Sequence, residues 1–401
     1  MYGSGRGHVS GPLAVYGEGF RAELLARGYA WGSAVHHVLL MAWVSRWLEA
    51  EGLGPGDLSG PVVQRCVQAR RSQGYRWLVS PRAVGVMVGY LRGAGVVMRE
   101  PPAGPATAVD QVLGRYQRYL AVERGLAGRS VGMYAGVARR FAGFLAAGGR
   151  GLEGADAGVV RRFMLGECSR QSPAAAKVTV TGMRALLRFL YLDGQIPVPL
   201  AGAVPAPAGW AMAALPRAIS AADLGRLVDS CDRGSALGCR DLAILLLLSR
   251  LGLRAGEVAA LGPGHFDWRR GEVTVCGKGG RRDVLPLPAD VGEAVAAWLV
   301  QGCRAPGSPA VFVQIRAPHQ RLTRQGVSHA VLRACAQAAV PAVSAHRLRH
   351  ASAARILAAG GTLTEVSQVL RHSRLKTTAI YAKVDRLALS AVARPWPGTR
   401  P

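Results

Sequence analysis

The sequence predicts a mainly α-helical protein with one small antiparallel β-sheet, in which tandem helical domains precede an α+β domain. Three observations lead there. Apolar residues recur at helical spacing along most of the chain, as at Tyr134, Val137, Phe141, Phe144 and Leu145. Residues 12–95 and 107–197 read as two copies of one unit. Residues 264–288 (GHFDWRRGEVTVCGKGGRRDVLPLP) instead break into short β-type runs separated by Arg-Gly and Gly-Lys-Gly-Gly, which is the pattern of hairpins.

The two copies share an offset of 97 residues. It pairs Gly28 with Gly125, Ser33 with Ser130, Trp47-Leu48 with Phe144-Leu145, Gly52 with Gly149, and Val62-Val63 with Val159-Val160. Two inserted residues later, Tyr90-Leu91 and Gly95 match Phe189-Leu190 and Gly194. A duplicated domain of about four helices accounts for this pattern. The boundaries expected are a first helical domain over 1–100 and its duplicate over 107–200. An Ala-, Pro- and Gly-rich linker follows over 201–216, then a third domain over 217–392 and a tail over 393–401.

Within the third domain, Ser220 to Asp223 carries a capping signal for a helix, and residues 242–251 read as a buried helix. The hairpins come next, with Lys278 at the turn of the second. Helices resume near 289–301, 323–338, 346–358, 362–370 and 374–382, and a short amphipathic stretch over 384–392 precedes the Pro-rich end.

Charge narrows the function. The chain has 401 residues, 50 of them basic against 24 acidic, for a net charge of +26. That excess divides as +5 over residues 1–100, +7 over 101–200 and +14 over 201–401, so no single tail carries it. A protein positive in every segment is built to lie along a polyanion, nucleic acid first. A GC-rich coding bias would enrich arginine over lysine, but it would not leave the acidic residues at half the basic count.

The same bias makes lysine conspicuous. Only Lys177, Lys278, Lys376 and Lys383 occur. An ammonium can be tuned to give up a proton, whereas a guanidinium in practice stays charged. The seven cysteines (66, 168, 231, 239, 276, 303 and 335) form no CxxC pair and suit small core positions in a reducing compartment. No signal-peptide pattern opens the chain, and the longest apolar runs are too short to span a bilayer, so a cytoplasmic protein without membrane contact is expected.

Near the end, His346-Arg347-Leu348-Arg349-His350 is followed by Arg371-His372 and Tyr381, polar groups set among apolar helical residues. Two arginines, several imidazoles and a phenol suit a phosphodiester. A guanidinium can fork onto two phosphate oxygens, an imidazole can give or take a proton near neutral pH, and a tyrosine hydroxyl can act as nucleophile. His346 lies three residues before Arg349, so on a helix the two share a face. His346 and His350 make an H-x-x-x-H spacing, but no third ligand accompanies it, and no metal or cofactor is expected.

The chain from about 217 to 390 resembles the catalytic domain of the tyrosine recombinases, the phage integrase family. The resemblance rests on five motifs taken in order. They are Leu251-Gly252-Leu253-Arg254-Ala255-Gly256-Glu257, Gly277-Lys278-Gly279-Gly280-Arg281, His346-Arg347-Leu348-Arg349-His350, Leu370-Arg371-His372-Ser373 and Thr377-Thr378-Ala379-Ile380-Tyr381. Singly each is weak; their order and spacing are what identify the family. Residues 107–197 resemble the same family's SAM-like core-binding domain.

That resemblance implies a site-specific recombinase that cleaves and rejoins double-stranded DNA through a 3′-phosphotyrosyl bond. Tyr381 is the implied nucleophile, Arg254 and Arg349 neutralise the phosphate, His346 and His372 assist, and Lys278 protonates the leaving 5′-oxygen. Glu257 supports Arg254. The family usually has Leu-Gly-His where this chain has Leu370-Arg371-His372, a departure at a turn. Four protomers around two duplexes, held in clamps, are implied, with the extra N-terminal domain gripping more DNA or contacting a partner recombinase. The task would be integration, transposition or resolution of a mobile element. Two rivals stay open from sequence: a type IB-like topoisomerase using the same groups, and a relative that binds DNA without catalysis.

Overall fold

The computed structural model describes residues 8–98, 107–205, 219–277, 280–301 and 308–371. Its first helical unit holds α1 (Gly17–Ala26), α2 (Trp31–Ala50), α3 (Gly60–Ser72) and α4 (Pro81–Gly93). A second holds α5 (Ala108–Arg118), α6 (Gly128–Ala147), α7 (Ala157–Cys168) and α8 (Pro173–Leu192), with a π-helical turn over Tyr119–Glu123 after α5. Each has its own core. Phe20, Met41, Val44, Leu48, Cys66, Met87 and Leu91 are buried together in the first. Tyr116, Phe141, Leu145, Phe163, Met183, Leu186 and Leu190 are buried together in the second.

The middle elements recur at the offset of 97 seen in the sequence, α2 with α6 and α3 with α7. Both α2 and α6 run 20 residues, and each is followed by a glycine at positive φ, Gly52 (67°) and Gly149 (70°), the backbone state that ends a helix most easily in glycine. Short 3-10 turns follow at Pro55–Asp57 and Leu152–Gly154. The copies diverge at their last helix. Ser80 and Ser172 each cap it by accepting an N–H, from Ala83 and Ala175, with proline next in line. However, α4 has 13 residues and α8 has 20.

The second unit runs past residue 200 and also claims residues 201–204, the start of the stretch that composition assigns to the linker. Leu200–Ala203 form a 3-10 turn, Leu200 and Val204 are buried in that unit's core, and Arg184 donates to the Val204 carbonyl at 3.0 Å. Two apolar side chains suffice to pin a segment whose Ala, Gly and Pro content alone suggests loose chain.

The third unit is built around α10 (Ala236–Ser249), preceded by α9 (Ala221–Asp229), whose cap Ser220 accepts the Asp223 N–H as its sequence signals. From Gly238 to Ser249 every residue of α10 is buried, which is how a helix apolar on all sides must sit. Its two charges are paired: Arg240 and Arg333 both bind the Asp241 carboxylate, at 3.0 and 2.6 Å. After α11 (Ala255–Ala260) come β1 (Phe266–Asp267), β2 (Glu272–Cys276) and β3 (Arg282–Pro286), one antiparallel sheet in the order β1-β2-β3. Val273 faces Phe266 on one side and Leu285 on the other, and Cys276 faces Arg282. The remaining helices are α12 (Ala289–Gln301), α13 (Arg324–Gln337), α14 (Ala345–Ala358) and α15 (Leu363–Val369). Among the described residues no helix is long and apolar enough to cross a membrane.

Candidate active site

The first arginine box opens α11. Arg254 precedes its first turn in extended conformation, and Glu257 reaches back to it. The Arg254 backbone N–H donates to Glu257 Oε2 at 2.8 Å, and Arg254 Nη1 donates to Oε1 at 2.5 Å. The sequence leads one to expect both a salt bridge to Glu257 and a phosphate role for Arg254. The geometry supplies the bridge while leaving the Arg254 side chain 45% exposed, so the carboxylate aims the guanidinium without covering it.

The second box lies on the first turns of α14. Arg349 is almost fully buried, and its Nη1 and Nη2 donate to the carbonyls of Gly252 and Leu370. The second arginine thereby ties together the chain before Arg254 and the chain before Arg371. Gly252 makes this approach possible: its φ is +58°, and a Cβ there would meet the Leu370 side chain at 2.6 Å. His346, one turn earlier on α14, lines the same pocket beside Arg349.

Arg371 goes elsewhere than a glycine could. It holds φ +52°, a left-handed state that costs a non-glycine residue roughly 1–2 kcal/mol. Its guanidinium is buried and donates to Glu257 Oε2 at 2.9 Å and to the Val369 carbonyl at 3.1 Å. Glu257 is therefore bracketed by two guanidinium groups.

These groups share an open pocket of about 880 Å³. Five arginines (254, 281, 324, 349 and 371) line it against two carboxylates, Glu257 and Asp283. Cys276 and Gly277, at the end of β2, form part of its wall, and Gly277 N–H closes the hairpin onto the Arg281 carbonyl at 2.7 Å. Lys278, the next residue, lies outside the described residues, as do His372 and Tyr381. Of the residues singled out from sequence, the structure thus brings Arg254, Glu257, His346 and Arg349 to one place. It adds Arg281 and Arg324, which sequence reasoning passed over. Arg281 stood in the Gly-Lys-Gly-Gly-Arg motif, whereas nothing marked Arg324 beyond a Thr323 cap at the start of α13.

The pocket's charge sets its protonation. Burial alone would raise the Glu257 carboxyl, but the bond from the Arg254 N–H, the Arg371 charge and the Arg254 guanidinium outweigh it and hold it below the usual carboxylate range. Loss of water around the ring, then the charges of Arg349, Arg254 and Arg324, push His346 below its ordinary value. The same causes, desolvation first and then His346, Arg349 and Arg347, take His350 down to about 4. The cationic pocket thus favours the neutral form of the His346 imidazole.

Two arginines from distant boxes and an imidazole meet on one open cationic pocket, a set of groups suited to holding an anionic group such as a phosphodiester. Residues 217–387 match the phage integrase family, and residues 113–194 match the phage integrase N-terminal SAM-like domain. The chain is 36% identical over 393 residues, 97% of its length and 95% of the relative's, to a putative integrase/recombinase y4rA of Sinorhizobium fredii. It is 30% identical over 298 residues to the tyrosine recombinase XerC of Salmonella typhi, covering 71% of this chain and 95% of that one. In fold it is similar to the XerH recombinase bound to a palindromic difH substrate, with TM-score 0.58 and 18% identity over 75% of this chain and 100% of that one. A lambda integrase dimer bound to a core site gives TM-score 0.53 and 17% identity over 72% and 98%. The chain belongs to the phage integrase family, the tyrosine recombinases, and is an enzyme of site-specific DNA recombination.

Proposed function

We propose that Arg254, Lys278, His346, Arg349, His372 and Tyr381 are the catalytic set. The observation that carries this reading is the meeting of Arg254, Arg349 and His346 on one pocket whose wall includes Gly277, the neighbour of Lys278. The scissile phosphate sits between the arginines, which neutralise the charge of the pentacoordinate transition state. The Tyr381 hydroxyl attacks phosphorus, its proton passing to a neutral imidazole. The P–O5′ bond breaks, and Lys278 gives the leaving oxygen its proton. A 5′-hydroxyl from another strand reverses these steps and rejoins the DNA, so no nucleotide cofactor is needed.

The first helical unit is a duplicate of the core-binding unit, and it either grips further DNA or contacts a partner recombinase. The shared 20-residue length of α2 and α6 and the paired glycines that follow them support that origin. The enzyme acts in the cytoplasm as a clamp on double-stranded DNA, with four protomers joining two sites, in the life of a mobile element. The solved relatives include a lambda integrase tetramer bound to a Holliday junction, at TM-score 0.53.

A nicked duplex that loses its 5′ fragment after cleavage tests the set. Arg254→Ala and Arg349→Ala should each slow adduct formation on the order of 100-fold or more while leaving DNA affinity within several-fold. Lys278→Arg should be slow on ordinary DNA and recover on a 5′-bridging phosphorothiolate, whose leaving group needs no proton. Full activity in either arginine variant, or no recovery for Lys278→Arg, would remove that residue from the set.

A further inference from the structure

Building on the catalytic set just proposed, we infer that Arg371 is a positioning residue that fixes Glu257, and through it Arg254, against the scissile phosphate. Three observations converge on it. The residue stands in a left-handed turn where glycine would be unstrained, so its side chain has a use that offsets the conformation. That side chain is 4% exposed and ends on Glu257 Oε2, the same oxygen that accepts the Arg254 backbone N–H. The other oxygen, Oε1, holds the Arg254 guanidinium.

Glu257 alone could rotate about its terminal torsion and release either contact. A second cation on Oε2 opposes that rotation and keeps Oε1 aimed at Nη1. Arg349 fastens the same two chain segments through the Gly252 and Leu370 carbonyls, which leaves Arg371 close to Glu257. The two arginine boxes and the turn after α15 are thereby joined into one frame. Arg371 also keeps Glu257 ionised. The charged groups on the carboxylate are Arg254 from its own helix and Arg371 from beyond α15, and Arg281, Arg324, His346, Arg349 and Asp283 line the same pocket.

The test uses full-length wild type, Arg371→Gly, Arg371→Lys, Arg371→Gln, Glu257→Gln and the double variant Arg371→Gly with Glu257→Gln. Single-turnover cleavage of the nicked duplex at saturating DNA is followed across pH, with DNA affinity measured separately. Arg371→Gly should cleave on the order of 10- to 100-fold more slowly at saturation, with affinity within about twofold. Its acid limb should move to higher pH, because Glu257 without Arg371 takes up a proton more readily. Arg371→Lys should recover much of the rate. The double variant should be no slower than the slower single one, since both act through one contact.

A wild-type rate and acid limb in Arg371→Gly would overturn the inference. So would a defect confined to affinity, which would make Arg371 a DNA contact, or losses that add with Glu257→Gln. If Arg371→Gly fails to fold, Arg371→Gln decides: it keeps a polar side chain there without the charge, and an unshifted acid limb there rejects the proposal. A wild-type chain that forms no adduct would instead defeat the underlying reading of the site.

Discussion

His346 and His350 meet edge to face with ring centres 4.3 Å apart, in a helix turn that also carries Arg347 and Arg349. Such neighbours make a second proton costly. His350 falls from 6.5 to about 4, so between those values the unfolded chain binds a proton that the folded chain refuses. Stability is therefore lost as pH falls through that window. In His350→Gln the decline of the urea midpoint from pH 7 to pH 4 should be shallower than in wild type; equal slopes would contradict the assignment. His346 shifts in the same direction, so part of the decline should survive. At this scale the sequence is most legible where chemistry restricts residue type: an arginine box, a histidine one turn before an arginine. The destination of Arg371 was not legible. Spacing says nothing about a partner 114 residues away, and an arginine at a turn gives no hint of where its side chain goes.

Between elements, the site depends on how closely the turn before α11 approaches the end of α15. Gly252 sits at that approach, and Gly256, one turn later in α11, has nothing near its missing Cβ. Gly252→Ala should thus lower unfolding stability by on the order of 2 kcal/mol or more, from left-handed strain and collision with Leu370. Gly256→Ala should be neutral or gain up to about 1 kcal/mol from helix propensity. Chemical denaturation of the two variants side by side checks the contrast, and equal effects would contradict it. The sheet and the helices as far as α15 were readable because periods of two and of 3.6 leave different marks on apolar residues, whereas the expected helix near 374–382 and the stretch over 384–392 lie outside the described residues. Residues 201–204 were not, because what holds Val204, its burial in the unit's core and the Arg184 bond to its carbonyl, is packing and not local pattern.

Across the whole chain, the internal repeat was legible because the two helical units bury apolar residues at matching positions, 97 residues apart at first and 99 apart after two inserted residues. Pairs such as Leu48 and Leu145, or Leu91 and Leu190, are buried in both copies. The net charge of +26 belongs to this scale too. Binding through phosphates releases counterions, so affinity for duplex DNA should fall about 10³-fold or more between 50 and 200 mM salt. A titration showing affinity nearly independent of salt would contradict a backbone-gripping protein. The central claim, that this pocket breaks DNA through Tyr381, is tested most directly by the chemistry of the trapped intermediate. Digesting the covalent adduct from a nicked duplex and sequencing the DNA-bearing peptide should place the link on Tyr381, joined to a 3′-phosphate with a free 5′-hydroxyl opposite. A link to another residue, a 5′-phosphate linkage, or an adduct that survives Tyr381→Phe would contradict it.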